Sequence, residues 1–295
     1  MTLEHSSGVI LVLGATGYLG RHLVAEAHAR GYRVRAVVRD RARAERPGPH
    51  AAPSLLGVVD EWAVGDVSDP RFVSGITAGV DVVISALGVT RQRANPWNID
   101  HRANLAALED AEQHDVRLFT FIHALGADEC PAELTKAKSA FARRLVASPI
   151  THQVLRPSAY FSDIAQILSM AQKGRVYLMR PSAQVNPIHP ADLASFGLDC
   201  VQGNTEGIWD VGGPETLTWE QVGQLAFAAL GNPPRIRTIP HPAAQVALRL
   251  LAPWNPRHAD TLRFALWAMS HDLVGMSTGT RCLAEFFRQE IRRDR

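Results

Sequence analysis

Short, continuously apolar runs alternate with longer stretches of helical periodicity through the first half of the chain. Runs of this length, rich in β-branched residues, predict strands that are covered on both faces, as in a parallel sheet. They lie at residues 9–13, 32–38, 62–67, 80–88, 116–123 and 151–156. Apolar positions recur at helical spacing between them, over residues 21–30, 97–114 and 131–148. Strands and helices that alternate in this way predict right-handed crossovers and a doubly wound parallel α/β sheet.

The second half of the chain has fewer strand-like runs and predicts a smaller, mostly helical lobe. A late strand at residues 208–211 precedes a Gly-Gly-Pro sequence and is expected to return to the sheet edge. We therefore predict a first domain over residues 1–156 and a second over 157–295, from which elements at about 185–211 return to the sheet of the first. A lobe added to such a sheet is suited to holding a substrate.

Helix signals are clear within this second half. Thr218 with Gln221 three residues later has the spacing of a capping box, for a helix that ends at Gly231. Two further apolar helices are expected over residues 243–251 and 262–269. Large apolar side chains in this region are either core residues or the lining of an apolar cavity: Trp254, Phe264, Trp267 and Met269.

The turn after the first strand carries three glycines in the pattern G-x-x-G-x-x-G. Between a strand and a helix, such glycines permit a sharp turn, let backbone approach a ligand and let the helix pack close to the sheet. Free amides and the dipole at the helix N-terminus favour an anion such as a diphosphate. A dinucleotide-binding site of the Rossmann type is therefore predicted. Its expected contacts here are Gly14, Thr16, Gly17, Tyr18, Leu19 and Gly20.

Charged residues at the end of the second strand bear on which dinucleotide binds. Arg39 lies about 20 residues beyond the glycine turn, where an acid favours a free 2′-hydroxyl and an arginine accommodates a 2′-phosphate. Arg39 therefore predicts NADP(H), whereas the neighbouring Asp40 keeps NAD(H) as the less favoured alternative. The other interpretation of Arg39, Arg41 and Arg43 is a solvated arginine cluster in a loop.

The ends of the third and fourth strands complete the predicted dinucleotide site. Asp66 is placed to accept a hydrogen bond from the adenine amino group while Val67 packs on the ring. Asp66 could equally cap a helix that begins near Pro70. Residues after the fourth strand are expected to pass close to the ribose and nicotinamide: Ala86, Leu87 and Gly88.

Composition narrows the function classes. Lys and Arg number 31 against 29 Asp and Glu, a net charge of +2, so no chain-wide field draws the protein to nucleic acid or to an anionic membrane. The three cysteines lack disulfide-framework or metal-ligand spacing, and no metal site is predicted. Neither a signal peptide nor a membrane span is evident, so a cytoplasmic location is expected. The oligomeric state cannot be predicted from the sequence.

Several segments taken in chain order resemble the short-chain dehydrogenase/reductase superfamily, in its atypical branch. They are the glycine turn at 14–20, the strand tip at 65–67, and the segments at 155–161 and 186–194. Within that branch the chain is most similar to divinyl chlorophyllide 8-vinyl reductases and NmrA-like NAD(P)H-binding proteins. The resemblance adds Pro157, Ser158 and Phe161 to the expected coenzyme contacts.

The same resemblance locates candidate catalytic residues. Typical members of the superfamily use Tyr-x-x-x-Lys and a serine, with the tyrosine as proton donor. Here Lys138 occupies the place of the lysine, but Leu134 stands where the tyrosine would be and Ala124 at or near the place of the serine. The loss of both hydroxyls puts ordinary carbonyl reduction in doubt and fits the branch that reduces a conjugated carbon–carbon double bond.

Three residues are predicted to act near the nicotinamide. Lys138 would hold the ribose or polarise a conjugated carbonyl group, the alternative being a surface lysine, and Lys136 is a weaker candidate. His123 and Tyr160 are the other groups able to transfer a proton, although either could simply be packed.

The expected function is NADPH-dependent hydride transfer to a conjugated double bond or carbonyl group of a small apolar or aromatic molecule. Two alternatives remain open. One is a non-catalytic NADP(H)-binding redox sensor or assembly factor of the NmrA type. The other is a redox-neutral isomerase or epimerase on the same fold.

Overall fold

The computed structural model describes residues 8–89 and 94–293. The sequence also predicts a loop at residues 89–96, and its Arg91 and Arg93 lie outside the described residues. The strands in chain order are β1 (Val9–Leu13), β2 (Arg33–Val38), β3 (Glu61–Val64), β4 (Val82–Ser85), β5 (Leu118–Ile122), β6 (Thr151–Pro157), β7 (Val176–Leu178), β8 (Gln184–Val185), β9 (Gly207–Gly212), β10 (Leu217–Thr218), β11 (Ile236–Thr238) and β12 (Met276–Ser277).

The helices follow the predicted alternation. In chain order they are α1 (Tyr18–Ala29), α2 (Arg41–Ala44), α3 (Pro70–Val73), α4 (Asn104–Gln113), α5 (Glu133–Val146), α6 (Phe161–Gln172), α7 (Pro190–Gly203), α8 (Trp219–Ala229), α9 (His241–Leu251), α10 (Pro256–Ala268) and α11 (Leu283–Arg293). A 3₁₀ turn at Pro49–Ala51 and a π-helical turn at Trp97–Ala103 complete the helical structure of the described residues.

Residue contacts divide the chain into two compact units. The first contains the residues up to His123, together with Ala137–Leu155 and Leu193–Ile208. The second contains Ala124–Lys136, Arg156–Asp192 and the residues from Trp209 onward. The units are interleaved along the chain, and the single domain boundary expected after residue 156 stays a prediction.

Six strands of the eight-stranded main sheet belong to the first unit, in the order β6-β5-β4-β1-β2-β3. All five adjacent pairs are parallel, with Ile10 of β1 in register with Val34 of β2 and Val82 of β4. The predicted doubly wound parallel sheet is thus confirmed. Strand order reverses between β1 and β4, and in such sheets ligands bind outside the carboxyl ends of the strands at this switch point.

The core of the first unit explains why its central strands are apolar throughout. Every residue of β1 and β4 is buried. Phe119 and Phe121 of β5 pack on Phe141 of α5, with ring centroids 5.8 and 4.7 Å apart. Aromatic pairs at such separations stabilise a core beyond the effect of their buried area, and they fix α5 on the sheet.

The second unit has its own core and only short strands. β7 pairs with β11 in parallel, β8 with β10 antiparallel, and β9 with β12 in parallel. Phe161, Phe227 and Phe287 of α6, α8 and α11 are among its fully buried side chains. The predicted capping box of α8 is present, because Gln221 donates its N–H to Thr218 Oγ1 and its side chain accepts from the Thr218 N–H.

Two helix starts differ from the sequence-based expectation. Asp69, not Asp66, caps α3, since the Asp69 carboxylate accepts the Arg71 N–H at 2.9 Å. Asp40 caps the unpredicted helix α2 by accepting the Arg43 N–H at 3.0 Å. Each carboxylate accepts a hydrogen bond from an amide that the helix itself leaves unpaired.

The four large apolar residues predicted in the second half as core or cavity residues lie in different surroundings. Trp254 is 90% exposed, so the expectation that it is a core or cavity residue is wrong. Phe264 and Trp267 pack against Cys130, Ala132 and Leu134. Met269 is buried in the main core of the second unit.

Three further observations bear on function. No helix within the described residues is both long and apolar enough to cross a bilayer. The thiols of Cys130, Cys200 and Cys282 are free. Over residues 8–89 and 94–293, no group of three or more His, Cys, Asp and Glu side chains is arranged to hold a metal ion.

Candidate functional site

The glycine turn joins β1 to α1 in a conformation that only glycine tolerates at two positions. Gly14 has φ +77°, and a Cβ there would lie 2.7 Å from the Ala86 carbonyl oxygen. A Cβ on Gly20 would lie 2.1 Å from the Gly14 carbonyl oxygen, so α1 could not pack so close to the turn with any larger residue. Gly17 is exposed, and a Cβ there would lie 3.2 Å from the Gly14 carbonyl oxygen.

The N-terminus of α1 is arranged for an anion. Gly17 is the N-cap and supplies no side-chain hydrogen bond, and no acidic residue lies in the first turn. The first amides of a helix lack intrahelical acceptors, and the dipole places partial positive charge there. The amides at Tyr18, Leu19 and Gly20 thus fit a diphosphate. Gly17 has no side chain, so a diphosphate would have room to approach these amides.

Arg21, the residue after the third glycine, is almost fully buried and organises the loop beyond β2. Its guanidinium donates to five carbonyl oxygens at 2.7–3.2 Å, those of Thr16, Arg43, Ala44, Arg46 and Pro53. Burial lowers the pKa of Arg21, and the positive charge of Arg43 lowers it further. One side chain therefore ties the glycine turn to the segment that follows Arg39.

Arg39 and Asp66 come together at the ends of β2 and β3. The Gly65 N–H donates to the Val38 carbonyl at 2.9 Å, so these strand ends are paired. Hydrogen bonds from the backbone and hydroxyl of Ser68 lower the pKa of Asp66, and the positive charge of Arg39 lowers it further. Asp66 is exposed and Val67 half-buried, an edge where an adenosine could lie.

The segment after β4 passes directly beside the glycine turn. Ala86 donates its N–H to the Leu13 carbonyl at 3.0 Å, and the ideal Cβ of Gly14 would approach the Leu87 amide nitrogen to 3.1 Å. Gly88 follows and lies near a buried ion pair, with its ideal Cβ 3.8 Å from Lys138 Nζ. Ala86, Leu87 and Gly88 thus link the anion-binding turn to the lysine of α5.

Lys138 is a buried cation, not a surface residue. Its Nζ donates to the Leu87 carbonyl at 3.1 Å and to the Ile122 carbonyl at 3.0 Å, and lies 3.2 Å from Asp100 Oδ1. It also sits 5.0 Å from the centroid of the Phe121 ring. Two carbonyl oxygens therefore accept hydrogen bonds from the ammonium group, and the Asp100 carboxylate lies at ion-pair distance. Lys136 is exposed and pairs with Glu133 instead.

Asp100 is the partner of Lys138 and was not predicted as a site residue. It is fully buried, and burial raises its pKa although the positive charge of Lys138 opposes the rise. The sequence signal for it is an acid among the apolar positions of a predicted amphipathic helix, next to Ile99 and Ala103. Arg21 carries the same kind of signal, a charge on the apolar face of α1.

A π-helical turn at Trp97–Ala103 carries Asp100. The widened turn is closed by Asn104, whose Nδ2 donates to the carbonyls of Ile99 at 3.2 Å and Asp100 at 3.0 Å. Asn104 Oδ1 in turn accepts the Ser85 hydroxyl at 2.5 Å. Such turns are often found at functional sites, and here the end of β4 is tied to the backbone of Asp100.

His123 follows β5 and is buried in the first unit. Its N–H donates to the Leu155 carbonyl at 2.8 Å, and its Nε2 lies 3.2 Å from the hydroxyl of Ser139. Ser139 is adjacent to Lys138 in α5. An imidazole held by a hydroxyl keeps a proton-transfer role open, and that role stays a prediction.

The remaining predicted residues lie in the second unit. Pro157 ends β6, and the Ser158 hydroxyl donates to the Asn186 carbonyl at 2.5 Å. Tyr160 precedes α6, and burial followed by the charge of Asp163 raises the pKa of its hydroxyl. The Phe161 ring packs on His189 and Phe286. Their assigned roles toward a coenzyme or substrate stay predictions.

The chain is similar to several known proteins. A family model described as NAD(P)H-binding matches residues 14–203. The chain is 30% identical over 254 residues to divinyl chlorophyllide a 8-vinyl-reductase of Zea mays, covering 81% of this chain and 63% of the relative. It is 29% identical over 196 residues to photosystem II assembly factor Ycf39 of Cyanidium caldarium, covering 64% and 60%. This chain therefore spans less than two-thirds of the length of either relative.

A solved structure of similar fold is an NADPH-dependent quinone oxidoreductase from Escherichia coli in complex with NADPH. Its TM-score is 0.74 at 18% identity, over 96% of this chain and 99% of that chain. The resemblance to the 8-vinyl reductases seen in the sequence is confirmed by the maize relative. Since the family model covers residues 14–203, the chain belongs to the NAD(P)H-binding family, and the coenzyme class predicted from its glycine turn is confirmed.

Proposed function

We propose that the protein is an NADPH-dependent reductase that transfers hydride to a conjugated double bond or carbonyl group of a small, largely apolar molecule. One observation carries the proposal. The anion-binding turn at Gly14 abuts the segment Ala86–Leu87, and the carbonyl of Leu87 lies 3.1 Å from the buried ammonium of Lys138. A diphosphate grip and a fixed cation beside it are what a nicotinamide dinucleotide site needs.

Residues of the first unit would divide the coenzyme between them. The amides at Tyr18, Leu19 and Gly20 would hold the diphosphate, with Thr16 beside it. Arg39 would hold the 2′-phosphate, which makes NADPH the preferred coenzyme, and Asp66 and Val67 the adenine. When bound, NADPH supplies the hydride. The backbone at Ala86–Gly88 would border the ribose, whereas the coenzyme contacts assigned from the sequence to Pro157, Ser158 and Phe161 of the second unit stay predictions.

Lys138 is proposed to orient the ribose or to polarise a conjugated carbonyl group of the substrate. Two of its three N–H donors are used by Leu87 O and Ile122 O, which leaves the third for a coenzyme or substrate oxygen next to Asp100. Asp100 Oδ1 lies 3.2 Å from Lys138 Nζ and helps to hold the ammonium group in place.

Two groups are proposed as proton donors because Leu134 cannot serve. Tyr160 carries a hydroxyl just before α6, and because burial raises the pKa of this hydroxyl it is a weak acid. His123 holds a hydroxyl partner, Ser139, beside Lys138. Reduction of a conjugated double bond needs a proton only at carbon after hydride transfer, and either group would supply it.

The second candidate is a non-catalytic NADP(H)-binding sensor or assembly factor. It is favoured by the buried, hydroxyl-free Leu134 in the place of the family tyrosine, and by similarity to a relative named as an assembly factor. A sensor would bind NADPH and need no proton donor.

NADPH oxidation by the purified full chain distinguishes the two. We expect saturable NADPH binding and turnover with at least one member of a panel of enones, quinones and vinyl-substituted aromatics. Lys138→Met should lower turnover about 100-fold, whereas Lys136→Met, on the same helix but exposed, should not change it. Binding without turnover would favour the sensor, and no saturable affinity for NADPH would exclude both.

A further inference from the structure

Helix α9 and the turn after it expose an apolar stripe. Val246 is 52% exposed, Leu250 69% and Trp254 90%. They are spaced four residues apart, and residues at this spacing follow one another along a single helix face. Backbone bonds from the Ala252 N–H to Leu248 O and from the Trp254 N–H to Leu251 O continue the helical path to the tryptophan. We call these three residues the α9 stripe.

The α9 stripe is not the face that packs on the protein. Ala244 is buried and Leu248 packs against the core of the second unit, on the other side of the helix. α9 is therefore apolar on two sides. α8, in the same unit, shows the usual arrangement, with Glu220, Gln221 and Gln224 exposed. A helix apolar on both sides is typically covered by another apolar phase on its outer face.

Charge around the α9 stripe indicates which phase. Residues 221–259 contain no aspartate or glutamate. The same stretch carries four exposed arginines, Arg235, Arg237, Arg249 and Arg257. The chain as a whole has a net charge of only +2, so positive charge is concentrated in the segment that exposes the apolar residues.

We propose that the α9 stripe docks this protein on the surface of an anionic phospholipid bilayer. Apolar side chains of an interfacial helix enter the boundary between head groups and acyl chains, tryptophan is favoured there, and flanking arginines contact lipid phosphates. A second copy of this chain would bring the same positive charge to the contact, which disfavours it as the occupant. Docking of this kind leaves the protein peripheral and presents the second unit to apolar molecules dissolved in the bilayer.

Co-sedimentation of the full chain with vesicles tests the proposal. We expect binding to vesicles containing phosphatidylglycerol, little binding to vesicles of phosphatidylcholine alone, and weaker binding at high salt. The triple variant Val246→Ser/Leu250→Ser/Trp254→Ser should lower the vesicle partition coefficient at least about tenfold. Arg249→Gln should weaken binding to anionic vesicles alone.

A matched control is available on the other unit. Leu56 is 67% exposed and lies away from the α9 stripe in sequence, so Leu56→Ser should leave vesicle binding unchanged. The urea midpoint of unfolding should be the same in all variants, which shows that they fold. Equal binding to neutral and anionic vesicles, unchanged partition of the triple variant, or a dimer that the triple variant converts to monomer would each overturn the proposal.

Discussion

Arg39 follows β2, and we propose that it contacts the 2′-phosphate by which NADPH differs from NADH, whereas the neighbouring Asp40 caps α2. Arg39→Asp should weaken NADPH binding about 10- to 100-fold, since charge-assisted contacts to phosphate contribute about 1.5–3 kcal/mol. NADH should be affected much less, because it lacks the 2′-phosphate. Fluorescence titration of both coenzymes measures the ratio. Arg117→Asp, the same charge change at the amino end of β5, is the control, and an equal loss for both coenzymes would refute the assigned selectivity.

Lys138 and Asp100 form an ion pair that should matter to stability as much as to chemistry. Lys138→Met leaves a buried carboxylate without its cation, which should cost about 3 kcal/mol in the free energy of unfolding at pH 7. Adding Asp100→Asn should recover more than half of the loss. Urea unfolding of the two single variants and the double variant gives the coupling energy.

The pH dependence of Lys138→Met has a definite sign. Without the lysine, burial of Asp100 is opposed only by a hydrogen bond from the Val89 backbone, so the folded-state pKa of Asp100 lies further above the unfolded value. The folded state then binds more protons, and the deficit should shrink as pH falls through that folded-state pKa. A deficit that stays constant or grows on acidification would show that Asp100 is not the uncompensated group.

Sequence reasoning found Lys138 and missed Asp100 for a physical reason. Lys138 has a fixed place in a family pattern, whereas the position of Asp100 depends on the π-helical turn. A pattern with regular α-helical spacing does not reveal such a turn. The extra residue in the turn rotates every preceding residue of the helix to a different side. Arg21 was missed similarly, since its five acceptors come from a loop without regular periodicity.

Among the elements, α1 provides the sharpest test of the diphosphate site. Gly17 has φ −68° and ψ 166°, which aspartate adopts readily. Gly17→Asp would place a carboxylate on the free amides, and this capping interaction should offset the 3.2 Å contact of the new Cβ with Gly14 O, so the stability of the unliganded protein should change by no more than about 0.5 kcal/mol. The same carboxylate should repel the diphosphate and abolish the rise in melting temperature caused by NADPH. Retained stabilisation by NADPH would place the diphosphate elsewhere.

The loop between β2 and β3 depends on Arg21. Arg21→Lys keeps the charge but cannot reach five carbonyls with one ammonium group, so residues 43–53 should loosen. We expect NADPH affinity to fall about tenfold through misplacement of Arg39. Arg30→Lys is the control at the other end of α1, where Arg30 binds Asp199, Gln202 and Ser195. It should cost stability without changing NADPH affinity, and an equal effect of both variants would deny Arg21 a positioning role.

Elements with strong local signals were predicted well, and those determined by tertiary contacts were not. β1, α1 and the α8 capping box follow from apolar runs, glycines and a Thr-x-x-Gln spacing. Asp66 was considered as a cap of α3 beside its predicted adenine contact, and the sequence does not show that Asp69 takes the capping role instead. Trp254 was assigned to the interior from its residue type, although nothing local fixes which side of the chain faces water.

At the scale of the whole molecule, His189 should make stability depend on pH. Its Nδ1 accepts the Ala191 N–H at 3.1 Å at the start of α7. Burial, and then the charge of Arg281, lowers the pKa of His189 to about 4, with Asp192 opposing. In the unfolded state the pKa of His189 has its ordinary value of about 6.5, so below that pH the unfolded state binds more protons than the folded state. The contribution of His189 to stability is therefore present above about pH 6.5 and is lost as pH falls toward 4.

His189→Asn isolates this effect. Asparagine retains an acceptor for the Ala191 N–H but does not titrate. Between pH 7 and pH 5 the native protein should lose about 1–2 kcal/mol more of its free energy of unfolding than the variant does. Urea midpoints at the two pH values provide the measurement, and parallel losses would assign the acid sensitivity to other groups.

The π-helical turn that carries Asp100 makes this site unusually sensitive to chain length. Each residue of a helix turns by about 100°, so deleting one residue between Trp97 and Ala103 would restore ordinary helical winding and swing the carboxylate to another side of the helix. No change of side-chain chemistry could undo that rotation. Homologous chains should therefore tolerate substitutions in the turn far better than insertions or deletions. Deletion of a single codon there would separate the lysine from its counter-ion without changing either residue.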